Sequence, residues 1–250
     1  MADSDDLYAE IIWDNAGAPH SAMFGDKYFC LEDGYEEARH VNCAGNALEA
    51  RFKALDPNVP GTFTIIETGF GTGLDFCCAW QEWEAFAPES WTLRFLSLEL
   101  YPLSSQDLSR ALAAWPALAV YRDALVAQYA PAPGKDMDFY FDHARIHLTV
   151  IVDDVVEALH KMRLRGLAGA GADAWFLDGF GPAKNPQMWS EAVFAAMAPL
   201  SRPGSTLSTF TVAGFVRRGL EANGFRVQKV PGYGKKRHIL IGRRDVQGEV

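Results

Sequence analysis

From Thr62 onward, short apolar runs alternate with amphipathic stretches. The runs "TFTIIE" (62–67), "TLRFLSLEL" (92–100), "ADAWFLD" (172–178) and "STLSTF" (205–210) have the length and composition of strands. Helical spacing of apolar residues lies between them, around 73–86, 105–115, 154–162 and 187–199. Such alternation predicts a mostly parallel sheet with helices on both faces. Two regions depart from it. "DFYFDHARIHLTVIVDD" (138–154) predicts a hairpin with its turn around His143 to Arg145, and "FRVQKVPGYGKKRHILIGRR" predicts a C-terminal antiparallel pair joined by a Pro/Gly turn. Residues 1–60 hold strand-like "YAEIIWD" and "KYFCLE" and a helical pattern from about Tyr35 to Leu55. We expect them to form an extension over the sheet's ligand edge, with 61–250 as one compact core.

Composition narrows the class. A chain of 250 residues, 49% hydrophobic, is enough for one α/β core. No apolar run approaches the roughly 20 residues that span a bilayer, and "MADSDDLYAE" is acidic where a signal peptide is basic, so a cytoplasmic protein is expected. Cys30, Cys43, Cys77 and Cys78 form no C-x-x-C pair and have no histidines at ligand spacing, so no metal site or disulfide framework is expected. A net charge of −9 argues against a surface that is basic all over, the usual footprint of a nucleic-acid binder. A nucleic-acid substrate would need a local basic patch.

The first core strand ends in "ETGFGTGLDF". In open α/β sheets, ligands bind beyond the carboxyl ends of the strands. The dinucleotide fingerprint G-x-G-x-x-G would put its third glycine at position 74, where Leu74 stands; the spacing is instead G-x-G-x-G, at Gly69, Gly71 and Gly73. Glu67 precedes the turn, and a like-charge pair at about 4 Å and an effective dielectric near 20 costs about 4 kcal/mol. An acid there disfavours a pyrophosphate and suits a cation. Glu99, after the second strand, is placed to accept the ribose hydroxyls of an adenosine. Asp153 and Asp154 end another strand, where an acid can take an adenine amino group with Val155 on the ring; helix capping is the plainer role for Asp154. This arrangement resembles class I S-adenosylmethionine-dependent methyltransferases.

Asp178 ends the strand of "WFLDGFGPAKNPQMW", where this fold class presents its methyl acceptor, with Phe180 close behind. Capping the loop is its alternative role. An alkylamine acceptor has a pKa of about 10, so stripping its proton at pH 7 costs about 4 kcal/mol. Asp178 would bind the ammonium, orient it, and accept or relay that proton as the amine attacks the sulfonium methyl.

"ETGFGTGLDF", "DAWFLDGFGPAKNPQMW", "TFTVAGFVRRGL" and "GYGKKRHIL", with "DKYFCLEDGYEEARHV" and "GNALEARF" upstream, closely resemble the methyltransferase domain of the MnmC family, over about Ile11 to Gly242. The resemblance implies a class I, Rossmann-like fold with a C-terminal antiparallel hairpin. It implies N-methylation of 5-aminomethyl-2-thiouridine at the tRNA wobble position, with S-adenosyl-L-methionine as cofactor. Glu67, Gly69, Phe70, Gly73, Glu99, Asp154 and Asp178 would line the cofactor or the acceptor; Thr68, Gly71, Gly179 and Asn46, within the same motifs, complete the expected cofactor set. Many members are fused to an FAD-dependent oxidase, so such a domain or protein is an implied partner beside the tRNA anticodon arm. Thr68 and Asp75 stand where the family usually has Ser and Asn, and Gly181 where it has Ala.

Lys184, Arg217, Arg218, Lys235, Lys236 and Arg237 gather in the C-terminal half against an acidic background. They are candidates for tRNA phosphates, with Tyr28, Phe29 or Phe180 stacking a flipped-out uridine; solvated surface charges are the plainer reading, above all for Arg217 on a helix. A small-molecule amine methyltransferase or an aminopropyltransferase of the same fold is the alternative activity.

Overall fold

The computed structural model of the protein describes residues 8–132, 134–234 and 236–245. A small antiparallel sheet comes first: β1 (Ile11–Trp13), β2 (Pro19–Ser21) and β3 (Asp26–Lys27). Then follow α1 (Gly34–Ala38), a π-helical segment (Arg39–Ala44) and α2 (Leu48–Lys53). The main sheet starts with β4 (Gly61–Thr68), α3 (Leu74–Phe86), β5 (Trp91–Glu99), α4 (Ser105–Leu112) and α5 (Ala119–Gln128). The hairpin β6 (Met137–Phe141) and β7 (Ile146–Val152) leads to α6 (Val155–Leu164), β8 (Ala172–Leu177), α7 (Glu191–Met197) and β9 (Ser201–Thr209). Last come α8 (Gly214–Ala222), β10 (Phe225–Pro231) and β11 (His238–Arg244).

The eight strands lie in the order β10-β11-β9-β8-β4-β5-β7-β6. β9, β8, β4, β5 and β7 are parallel; β6 and β11 run against their neighbours. β4 and β5 are buried along most of their length because both faces are covered. Phe63 and Ile65 face one core with Phe76, Trp83, Phe95 and Phe176, while Ile66 faces the other with Leu96, Trp175 and Phe194. The N-terminal segment belongs to the first core: Phe52 sits edge-on to Phe63 at 5.0 Å and to Trp83 at 4.8 Å. From β4 the chain steps to β5 on one side and later returns to β8 on the other. The strand ends at that reversal leave a crevice between them.

Some elements differ from the sequence pattern. In "KYFCLE" only Lys27 joins a strand, and Phe29 turns inward against Trp115, so the apolar alternation there reflects packing. The stretch from Tyr35 to Leu55 is three segments, broken by the π-helical turns and by Ala47 at φ 52°. The stretch 187–199 is likewise divided, into a 3-10 turn (Pro186–Trp189), α7 and a second 3-10 turn (Ala198–Leu200).

Candidate active site

The crevice opens into a cavity of about 1030 Å³, walled by the ends of β4, β5, β7 and β8 and by residues from the N-terminal segment. The glycine turn folds back onto β5: the N–H groups of Gly69 and Phe70 both donate to the Leu98 carbonyl, at 2.9 and 3.0 Å. Gly69 has φ +91°, and a Cβ there would lie 3.3 Å from Gly179 Cα, so this turn meets the loop after β8 backbone to backbone.

Glu99 is held by that turn. Gly71 N–H donates to Oε2 and Tyr101 N–H to Oε1, each at 2.9 Å, and the Leu100 N–H also acts on the carboxylate. Burial pushes its carboxyl above the usual carboxylate range, against the pull of these backbone donors. Asp154 caps α6 by accepting Val156 N–H at 3.0 Å, and it also lines the cavity with Asp153 and Val155. Asp153 is paired with Lys161.

Asp178 follows β8 on the cavity wall, its carbonyl tied to β4 by Thr68 Oγ1–H at 2.9 Å. Its carboxyl lies within hydrogen-bonding reach of that of Asp75, in the first turn of α3. Asp75 also accepts Asn42 Nδ2–H at 2.7 Å. Burial, followed by the charges of Asp178 and Glu67, pushes the Asp75 carboxyl well above the usual range. Asn42 lies on the π-helical segment and lines the cavity; its Oδ1 is buried and has no hydrogen-bond partner among the described residues. Such π-turns often sit at functional sites.

Of the expected cofactor set, Gly69, Phe70, Gly71, Glu99, Asp153, Asp154, Val155, Asp178 and Gly179 line the cavity. Glu67, Thr68, Gly73 and Asn46 are buried and are not among the residues that line it. Glu67 is 1% exposed and accepts Ser97 Oγ–H at 2.5 Å; burial raises its carboxyl well above the usual range, so it brings no open charge to the turn's mouth. Gly73, at φ +74°, starts α3 between Phe70 and Leu125. Asn46 is fully buried. It donates to the carbonyls of Asn42 and Trp175 and accepts Thr206 Oγ1–H, pinning the π-helical segment to β8 and β9.

The aromatic candidates divide. Tyr28 meets Phe180 edge-on at 5.1 Å, and Phe24, unnoticed in the sequence, stacks on Phe180 at 4.7 Å and 28°. Phe29 is a core residue at the cavity wall, edge-on to Trp115. Lys236 lines the cavity but is paired with Glu37 and sits over the Phe210 ring, so it is not an open phosphate ligand. Arg217 is paired with Glu221 along α8, the solvated arrangement. Lys184, Arg218 and Arg237 are exposed outside the cavity, and Lys235 lies outside the described residues. Phe24, Asn42 and Asp75 were not among the expected site residues. The one signal for them was the acid at 75, in the first helical turn after the glycines.

Eight acidic residues line the cavity against two lysines. This donor set fits a nucleoside that carries positive charge and no phosphate, as S-adenosylmethionine does. An open sheet with that glycine turn at its reversal point, and a strand-end carboxylate, Glu99, fixed upon it, is the architecture of a class I methyltransferase. A family model described as S-adenosyl-L-methionine-dependent methyltransferase matches residues 116–245, just over half the chain. The chain belongs to that family. It is 49% identical over 235 residues to a "tRNA 5-methylaminomethyl-2-thiouridine biosynthesis bifunctional protein MnmC" from Chromobacterium violaceum, covering 94% of this chain and 34% of that protein. A Pseudomonas aeruginosa protein of the same name is 50% identical over 239 residues, covering 96% and 35%. The chain thus spans about a third of the length of these relatives. Among solved structures, MnmC2 from Aquifex aeolicus superposes with a TM-score of 0.70 at 19% identity, covering 97% of this chain and 72% of that one, a likeness of fold.

Proposed function

We propose that the chain methylates the exocyclic amine of 5-aminomethyl-2-thiouridine at the tRNA wobble position, giving 5-methylaminomethyl-2-thiouridine. The observation that carries this reading is the meeting of a carboxyl group and an aromatic platform at one cavity: Asp178 beside Phe180, with Phe24 and Tyr28 packed on that ring. A flipped-out base that bears an ammonium group needs both. The names of the relatives at 49% and 50% identity support the same substrate.

In this reading S-adenosylmethionine, when bound, supplies the methyl group, and the S–C electron pair stays on sulfur as the N–C bond forms. Glu99 accepts the ribose hydroxyls, and Asp154 with Val155 faces the adenine. Asp178 binds the protonated amine, orients it and accepts or relays the proton, whose loss at pH 7 costs about 4 kcal/mol. Phe180 holds the uracil plane. Lys184 follows β8, Arg218 follows β9, and Arg237 precedes β11, which is antiparallel to β9. All three therefore lie at the same sheet edge as the cavity, where anticodon-arm phosphates would pass. Residues 8–60, the described part of the N-terminal extension, act as the cover of that edge. The reaction belongs to the cytoplasm, where tRNA is found, and an FAD-dependent oxidase activity, fused or separate, acts in the same pathway.

Labelled S-adenosylmethionine and tRNA carrying the aminomethyl wobble base test the reading. Label should appear in the wobble nucleoside. Intact cofactor binding without transfer to tRNA, or transfer to free small amines instead, overturns the substrate assignment in favour of a small-molecule enzyme of the same fold.

A further inference from the structure

We propose that Asp75 is a positioning residue for Asp178: its protonated carboxyl donates a hydrogen bond to the Asp178 carboxylate, and Asn42 holds the pair from the π-helical segment. The inference rests on Asp178 being the group that receives the acceptor amine's proton.

Two carboxyl groups in hydrogen-bond contact share one proton, because like charges about 3 Å apart cannot both persist away from water. The surroundings decide which group carries it. Asp75 is 7% exposed, whereas Asp178 is more open to the cavity. The titratable groups facing Asp75 are Asp178 after β8, Glu67 on β4, Cys77 and Cys78 on its own helix, and Cys43 on the π-helical segment. Burial pushes all three thiols up, so they stay neutral; the cation that acts on Cys43 and Cys78, Arg39, is itself paired with Glu36 and Glu82. Asn42 Nδ2–H donates to Asp75 Oδ2 at 2.7 Å, so the amide fixes the Asp75 carboxyl from the side of the π-helical segment.

This chain has an open end. Asn42 is 3% exposed and lines the cavity, and its orphaned Oδ1 is an acceptor awaiting an N–H group. An amine seated at Asp178 would find a carboxylate and a carbonyl fixed by one hydrogen-bonded chain, which restricts the direction of its lone pair. The arrangement is also pH-sensitive. When Asp75 loses its proton, two negative charges face each other and Asp178 is pushed out of register. An amide at position 75 donates in the same place and does not titrate.

The test uses Asp75→Ala and Asp75→Asn, with circular dichroism to confirm that both fold. We expect Asp75→Ala to lower kcat with aminomethyl tRNA by roughly 10–100-fold, the loss of one buried hydrogen-bond partner. Asp75→Asn should recover most of that loss and remove the wild type's decline in kcat at alkaline pH, with cofactor affinity little changed in both. Infrared difference spectra should show a protonated carboxylic acid carbonyl band in the wild type at neutral pH that is missing in Asp75→Asn. Absence of that band in the wild type, or an Asn variant as slow as the Ala variant, overturns the proposal. If the wild type itself transfers nothing to tRNA, the substrate reading has failed, and the infrared band still decides the state of Asp75.

Discussion

Replacing Glu99 by Gln should damage cofactor binding although it changes neither size nor shape. Both carboxylate oxygens accept backbone N–H groups at 2.9 Å, from Gly71 on one side and Tyr101 on the other. A glutamine has one oxygen and one NH2, so whichever way the amide turns, one backbone donor faces another donor. The unsatisfied N–H costs about 1–3 kcal/mol, and the lost acceptor for a ribose hydroxyl removes a further charge-assisted hydrogen bond of about 1.5–3 kcal/mol. Part of the first cost falls on the free protein, so we take about 1.4–2.8 kcal/mol for binding. That is a loss of roughly 10–100-fold in S-adenosylmethionine affinity. Isothermal titration of the purified protein measures it directly. Wild-type affinity should also fall as the pH drops through the raised Glu99 pKa, because the carboxylate is the acceptor; Glu99→Gln should show no such fall. Binding by Glu99→Gln within threefold of wild type would refute the reasoning, since the fork would then hold the turn without holding the ligand.

Three further outcomes follow from the same coordinates. Asp75 and Glu67 have folded-state pKa values above their unfolded ones, so the folded protein binds more protons and stability falls as pH rises from the ordinary carboxylate range through the raised values. The slope, at most about 1.36 kcal/mol per pH unit for each group, should shrink in Asp75→Asn, measured as urea midpoints against pH; a stability that rises over this window contradicts it. Asp173 is 5% exposed, accepts Thr64 N–H at 2.8 Å and pairs with Arg202 at 2.7 Å, so Asp173→Ala should cost about 2–3 kcal/mol and lower Tm without changing cofactor affinity. In the β6–β7 turn, Asp142, His143 and Ala144 all have positive φ, 69° at Ala144, and Ala144→Gly should raise stability by about 1 kcal/mol; a lower urea midpoint would show that the turn is not strained.

The strands were legible where burial on both faces makes the sequence itself apolar. "TFTIIE" and "ADAWFLD" name β4 and β8 to within a residue or two because every position in them but the terminal Thr62 and Asp178 is buried. β9 begins four residues before its apolar run, since "SRPG" lies at the polar start of the strand. α5 left no clear periodicity: Leu125 is its one buried residue, so there is too little apolar stripe to read. The π-helical segment has no compositional signature. Its geometry comes from docking on β9, where Ser208 Oγ–H bonds the Val41 carbonyl and a Cβ on Gly45 would lie 2.2 Å from Ser208 Oγ.

The site was legible by position and misread by direction. Glu67 and Glu99 are both acids at strand ends, and nothing in their sequence neighbourhoods separates them. Register separates them. Glu67 is directly opposite Ser97 in the parallel β4–β5 ladder, so its side chain has a partner inside the sheet and is buried with it. Glu99 lies one residue past the last β4–β5 pair, Thr68 with Leu98, so on that side no strand covers it and its carboxylate curls onto Gly71. A one-residue difference in where pairing stops leaves one acid in the core and the other on the cavity wall. The same limit explains Asn42 and Asp75: 33 residues apart, they meet because the π-helical segment packs on the start of α3, which is a fact of tertiary packing. Strand-end reading therefore locates the crevice, and the register of the central strands decides which of its acids reach a bound ligand.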